Sequence, residues 1–302
     1  MAGSSLLVAT TLAARGTGTV GEAEKAEAPP PSALSGLKDI DMYFGDWRHS
    51  APRLTHGSLQ ERDILTRGDA LNPTRKGAVL RFLNSYTCAT LAPRASTMPT
   101  RLHGQQEIFY TFSGRGTAAA GGQTVGLSPN VVVLMPANLE FTIQNTGDKP
   151  LAMYVINEPT PPGFRPNAKM LVRDENTLPI TSSDGFWCHI VKTLYTTAEG
   201  LGTLQSVLTV TLDPLTLGKP HNESHDDIEE VWSALEGTSI AWIGVQLRRQ
   251  PPGVAYLHPP GTEKTPDNKT LGTTPHTNIN DDSARQSKFL YFARYHPHEP
   301  RP

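Results

Sequence analysis

Beyond residue 78 the chain is a succession of short apolar runs broken by turn residues. Val79 to Leu83 (VLRFL), Glu107 to Phe112 (EIFYTF), Val131 to Met135 (VVVLM) and Leu151 to Ile156 (LAMYVI) are rich in β-branched and aromatic side chains and bounded by Gly, Pro or Asn. The habit returns at Leu204 to Leu212 (LQSVLTVTL), Glu230 to Leu235 (EVWSAL), Ser239 to Gly244 (SIAWIG), Val254 to Leu257 (VAYL) and Phe289 to Arg294 (FLYFAR). Runs of this length and composition predict β-strands. Only Asp281 to Ser287 reads as a short helix.

The two sets are copies of one plan. The first half contains EIFYTFSG from Glu107, a Gly121-Gly122 turn and then LSPNVVVLMPAN; the second contains EVWSALEG from Glu230, then IGVQLRR and QPPGVAYLHPPG. Strand, glycine turn, strand, proline turn and strand again is the order that closes a small jelly-roll barrel, and closure removes the exposed edges that so many short strands would leave. The expectation is an all-β protein of two tandem barrels, 37–165 and 166–302, preceded by a tail at 1–36. Trp187, Trp232 and Trp242, which fall in strand candidates, are expected in barrel cores.

Composition narrows the classes. Of 302 residues, 37% are hydrophobic and 19% charged, enough to bury cores but not to fill a membrane. Lys+Arg 27 against Asp+Glu 29 leaves a formal charge of -2 with no basic run, which argues against nucleic acid as a partner. Cys88 and Cys188 show no metal-knuckle or redox spacing, and leave one disulfide or two buried thiols open. In the tail, Leu6 to Ala14 (LLVATTLAA) is apolar like the core of an export signal but lacks basic residues before it, so a secreted or periplasmic location and a cytoplasmic one stay equally open. The run is too short to span a bilayer.

Two segments carry candidate chemistry. Pro220-His221-Asn222-Glu223-Ser224-His225 is followed by Glu230 and Gly237; Pro259-Pro260-Gly261-Thr262 is followed, after a polar stretch from Glu263 to Thr274, by Pro275-His276-Thr277-Asn278-Ile279-Asn280. At these residues the chain resembles the cupin superfamily, and specifically the two-barrel bicupins, over roughly 37 to 300. One family motif pairs spaced histidines with a glutamate and a glycine turn; the other sets a histidine four residues before an asparagine. The stretch from Glu263 to Thr274 departs from the uninterrupted motif.

Strand geometry adds a physical reason for a metal. Side chains at i, i+2 and i+4 share a face, so His221, Glu223 and His225 can point together, with Glu230 just beyond and His276 from a distant strand. Two donor sets remain open. One is His221, His225, Glu230 and His276, with Glu223 as hydrogen-bond acceptor behind a ligand; in the other Glu223 takes the place of His221. Imidazole with carboxylate suits a divalent Fe, Mn, Ni, Zn or Cu without choosing among them. Tyr256 and His258 flank the proline turn and are expected to line the substrate side.

The first barrel is the internal comparison. His103 and Glu107 stand at ligand spacing, but Arg101 occupies the preceding histidine position and Phe141 stands where the family places its last histidine. His103, Gln105, Glu107 and Phe141 therefore read as the remnant of a site, fit to hydrogen-bond a polar ligand but too poor for a tight metal.

The resemblance implies a bicupin enzyme, and such enzymes include dioxygenases, decarboxylases, isomerases and lyases acting on small oxygen-rich molecules. A metal-dependent dioxygenase or other oxidoreductase is the leading expectation, with Glu230 as the catalytic base. A sugar or uronate isomerase or lyase is the alternative, and a non-catalytic ligand-binding bicupin a third. The expected partners are a small-molecule substrate and a second copy of the chain, and Glu263 to Thr274 is either a substrate-selecting lid or a tolerated insertion.

Overall fold

A computed structural model describes residues 39–181, 189–221, 227–260, 263–264, 270–271 and 275–295. The tail at 1–36, Trp187, Cys188, Glu223, His225 and most of the Glu263 to Thr274 stretch lie outside the described residues. What is described is nearly all β and forms two jelly-roll barrels.

The large sheet of the first barrel runs, in spatial order, Leu171–Asp174, Val131–Met135, Gln105–Ser113, Leu151–Pro159, Ser85–Leu91, Leu59–Arg67 and Arg53–Thr55, with Ala78–Leu80 beside Leu59–Arg67. Its small sheet is Thr100–Arg101, Glu140–Asn145, Gly116–Ala120 and Gln123–Leu127. The second barrel sets Phe44–Asp46, Val254–Leu257, Glu229–Glu236, Ser287–Arg294, Ser206–Leu212 and His189–Thr196 against Gln246–Gln250, Ser239–Ile243 and His276–Ile279. Each barrel's large sheet is extended by a segment that precedes the other barrel. Phe44–Asp46 pairs with Val254–Leu257, and Leu171–Asp174 pairs with Val131–Met135.

Period-two alternation divides the cores. Phe109, Met153 and Val155 fill the first barrel with Phe141, while Trp232, Tyr256, Phe289 and Tyr291 fill the second. Their sequence neighbours Ile108, Tyr154, Ile156, Val231, Leu290 and Phe292 point the other way, into one apolar cluster shared by both large sheets. Each such side chain contributes about 1.5–3 kcal/mol when fully buried, so this shared cluster is the main cohesion between the barrels.

Two carboxylates fasten the same junction. Glu229 accepts from the backbone N–H groups of Arg81 at 2.7 Å, Phe82 at 3.1 Å and Leu83 at 3.0 Å. Reciprocally, Glu158 accepts from Gly202 at 3.0 Å and from Thr203 and Leu204 at 2.8 Å each. The first contact explains why the predicted strand Val79 to Leu83 ends at Leu80: the next three N–H groups turn to a side chain of the other barrel.

The repeated motif residues do repeated structural work. Asn145 donates to the carbonyls of Leu91, Ala92 and Lys149, and Asn280 donates to those of Leu212, Asp213 and Arg285, so each closes the equivalent corner of its barrel. Gly114 and Gly237 take φ of +87° and +71°, and a Cβ there would stand 2.5 Å from the carbonyl oxygen of Pro150 or Gln286. Only glycine fits both constraints.

Two sequence expectations need correction. Asp281 to Ser287 is not helical: the Asp282 carboxylate accepts from the N–H groups of Ala284 and Arg285, a local bond that competes with helix formation, and Ser287 already begins the last strand. Trp232 is a core residue, but Trp242 is only half-buried, because Ser239, Ala241 and Ile243 take the inward positions of its strand. Cys88 is unpaired and buried, and that burial pushes its thiol up to about 12.

Glu229→Ala leaves three N–H groups at the barrel junction, that of Leu83 buried, without an acceptor, and a loss of about 3 kcal/mol in unfolding free energy is expected from such a deletion. Denaturant unfolding beside Glu140→Ala, at an exposed carboxylate where no more than about 0.5 kcal/mol should be lost, checks this.

Candidate metal centre

Glu230 is the second residue of its strand and faces the interior of the second barrel. Trp232, two residues on, shares that face, and its indole Nε1 donates to Glu230 Oε1 at 2.6 Å. Tyr291 lies opposite Trp232 on the adjacent strand, and its hydroxyl donates to Oε2 at 2.9 Å and meets the hydroxyl of Tyr295. The carboxylate is 2% exposed and held at both oxygens.

The imidazoles reach it from the small-sheet side. His276 opens its strand, and its Nε2 lies 2.7 Å from Glu230 Oε1. His221 pairs with His276 through two backbone hydrogen bonds, which bring their rings to 4.3 Å and His221 Nε2 to 3.9 Å from the same oxygen. One donor atom from each of His221, Glu230 and His276 falls within a 4.8 Å group, the one such trio of His, Cys, Asp or Glu among the described residues. The His258 ring lies tilted against that of His276 at 4.0 Å, and the His258 backbone N–H donates to the Glu230 carbonyl. Tyr256 is fully enclosed, packed on Phe44 at 5.3 Å with its hydroxyl accepting from Asn278.

Charge is arranged accordingly. Burial works to raise the Glu230 carboxyl, but the His276 and His221 imidazoles outweigh it and hold it well below the usual carboxylate range. Burial pushes His276 down against the pull of the Glu230 carboxylate, and its buried Nδ1 has no hydrogen-bond partner among the described residues. Burial also opposes charge on His221, and the Glu230 carboxylate reverses the balance to raise it. A buried carboxylate whose ion-pair partners among the described residues are histidines, with clustered nitrogen and oxygen donors, fits a divalent transition metal.

In the first barrel the structure separates the expected residues. His103 is exposed, with Nδ1 at 3.0 Å from the Asn138 side chain, and Gln105 accepts from Asn84; neither meets Glu107. Glu107 is buried and takes Asn157 on one oxygen, while the other stands 3.1 Å from Nε2 of His56. Phe141 packs against this imidazole at 5.6 Å. His56 comes from the turn between Arg53–Thr55 and Leu59–Arg67, at φ +48°, with Glu61 at 4.0 Å from its Nδ1. Sequence reasoning missed His56 and Glu61, because Thr55-His56-Gly57 reads as an exposed turn. The left-handed backbone at His56 folds the ring inward instead.

Residues 88–157 match the cupin domain family. No curated protein sequence matches the chain. Among solved structures, it is similar to a putative glyoxylate-induced protein from Pseudomonas aeruginosa, at 13% identity and TM-score 0.62 over 83% of this chain and 86% of that one. A variant of Bacillus subtilis oxalate decarboxylase gives 12% and 0.60 over 88% and 80%, and the Momordica charantia 7S globulin 11% and 0.59 over 84% of each. Residues 88–157 are thus a cupin domain, and the chain shares the two-barrel fold of these solved structures.

The first-barrel pair has a pH signature. Burial works against charge on His56, but Glu107 outweighs it and raises the imidazole above its ordinary value. A raised histidine contributes stability that is full below about pH 6.5 and is lost as pH rises through its higher folded value. Thermal melts of the parent and His56→Asn, a residue that tolerates the left-handed backbone, should differ most at pH 6 and converge towards pH 9. A constant gap across that range would reject the ion pair.

Proposed function

We propose that the second barrel holds one divalent transition metal and that the protein is a metal-dependent bicupin enzyme, an oxidoreductase of dioxygenase type acting on a small oxygen-rich molecule. The clustering of His221, Glu230 and His276 donor atoms within 4.8 Å carries the reading. These three residues would hold the metal, with His225 or Glu223, in the connection between His221 and Glu230, as a further donor. When bound, such a metal supplies Lewis-acid polarisation of a substrate oxygen and, if redox-active, access to dioxygen.

The chain's own residues supply the rest. Glu230, held ionised, is the base, and the Tyr291 hydroxyl, itself joined to that of Tyr295, donates to its Oε2 and steadies the carboxylate charge. Trp232 fixes the carboxylate orientation from Oε1. His258, packed against His276, is the lining residue next to the centre; Tyr256 supports it from within the core. The apolar barrel behind them excludes water, which strengthens each of these polar contacts.

Elemental analysis of the full chain supplied with Mn, Fe, Ni, Zn or Cu is expected to find about one metal per chain, and none in His276→Ala that still melts cooperatively. Oxygen uptake with catechols, flavonols, dicarbonyls and small carboxylates should accompany turnover. Turnover without oxygen would move the reaction to isomerase or lyase chemistry. Failure of the parent to retain any of the five metals would leave a non-catalytic bicupin.

A further inference from the structure

A second candidate ligand site lies where Phe44–Asp46, of the second barrel's sheet, meets Leu59–Arg67 of the first. The approach is close: a Cβ on Gly45 would stand 1.7 Å from the Ile64 carbonyl oxygen. Beside this contact opens a cleft of about 530 Å³, a size that suits a small molecule, lined by Asp46, Ser50, Asp63, Thr66, Arg75 and Lys76 among others. A bulge between Asp63 and Leu65 lets Asp63 and Thr66, three residues apart, both face it. The segment that carries Arg75 and Lys76 is pinned at Gly77, whose N–H donates to the Met42 carbonyl and whose carbonyl accepts from the Thr66 N–H, at 2.8 Å each.

The two ends of the cleft differ in how their charges are met. At one end Asp46 Oδ1 accepts from the Arg48 side chain at 2.8 Å and from its backbone N–H at 3.0 Å, and Asp63 Oδ1 accepts from Arg53, which also holds Glu61. Both aspartates thus have a guanidinium, and each keeps an Oδ2 to which no described residue donates; His49 Nδ1 stands 3.8 Å from that of Asp46. At the other end Arg75 gives one N–H to the Thr66 hydroxyl at 2.9 Å, and neither Arg75 nor Lys76 pairs with a carboxylate among the described residues. Asp41, whose carboxyl Arg248 and then Lys76 hold below the usual range, takes its bonds from Arg248 at 2.7 and 3.0 Å.

Two cations without a carboxylate at one end, and open carboxylate oxygens about 10 Å along the strand at the other, suit a ligand with one oxyanion and several O–H donors. We propose that this cleft binds a hydroxylated organic anion, a sugar phosphate or a sugar acid, with its oxyanion on Lys76 and Arg75 and its hydroxyls donating to the Oδ2 atoms of Asp63 and Asp46. The Arg48 and Arg53 guanidiniums offset the charge of these aspartates while leaving them acceptors, so the ligand's own anion is not repelled. A plain anion lacks the donors and a neutral sugar lacks the charge. None of His221, Glu230 and His276 lines the cleft, and the site does not depend on a metal in the second barrel.

Calorimetric titration of the full chain at low ionic strength, where exposed charges are least screened, tests the site with glucose 6-phosphate, gluconate, inorganic phosphate, acetate and glucose. Glucose 6-phosphate or gluconate is expected to bind saturably and more tightly than inorganic phosphate, acetate or glucose, and whichever of the two is tighter identifies the preferred oxyanion. Lys76→Ala, at an exposed side chain whose loss should leave the melting temperature unchanged, is expected to weaken binding about tenfold. His276→Ala should bind as the parent does. Absence of saturable binding, equal affinity for a plain anion or for glucose, parental affinity in Lys76→Ala, or loss of binding in His276→Ala would each overturn the proposal, the last by placing the ligand at the metal centre.

Discussion

The strict two-residue alternation of a β-strand governs this molecule most visibly at Glu229 and Glu230. Adjacent in sequence, the two carboxylates must face opposite sides of the sheet. Glu229 reaches across to the first barrel and takes three backbone N–H groups; Glu230 enters the second barrel and meets two imidazoles. A shift of this strand by one residue would bring either Val231 to the imidazoles or Ile228 to the backbone of Arg81 to Leu83, so one of the two sites would lose its carboxylate. Junction and candidate centre are therefore held in register by the same hydrogen-bonded ladder.

Comparison of the halves shows what the barrel requires and what a metal would require in addition. Asn145 and Asn280 make equivalent sets of three carbonyl contacts, and Gly114 and Gly237 share the left-handed turn; these positions answer to the fold. Glu107 and Glu230 are equivalent too, but their neighbours differ. Phe141 stands in the first barrel where His276 stands in the second, and the carboxylate it leaves behind finds a different imidazole, His56, from the turn between two strands. Burying a carboxylate without a partner costs several kcal/mol, so a barrel that keeps the glutamate must supply some cation or donor to it.

What the sequence made legible follows from how local each signal is. Strand positions such as Val131–Met135 and Val254–Leu257 are set by composition and bounding turns within a few residues, and both lie where the pattern placed them. His221, Glu230 and His276 could be paired across 46 residues or more only because the duplicated motifs gave each a place in the barrel. No local pattern announces that Phe44–Asp46 completes a sheet more than two hundred residues away, or that Arg81 to Leu83 leaves its strand for Glu229. His103 misled for the complementary reason: its spacing to Glu107 is right, but it precedes the strand and turns outward to Asn138, so spacing without strand continuity does not fix a face.

The centre's rigidity has a consequence for its chemistry. Glu230 is held by Trp232 on its own strand, by Tyr291 on the adjacent strand and by His276 on the opposite sheet, so three separate elements would have to move for the carboxylate to swing. His221 is attached differently: its backbone pairs with His276, yet its side chain is 34% exposed and its Nδ1 is held by the nearby Lys219 carbonyl. Adaptability is thus concentrated on one side of the cluster, at His221, while the deep side is fixed before any ligand arrives. Preorganised groups lose little freedom on binding, and the selectivity of this barrel should therefore be set at its His221 rim rather than at the carboxylate beneath it.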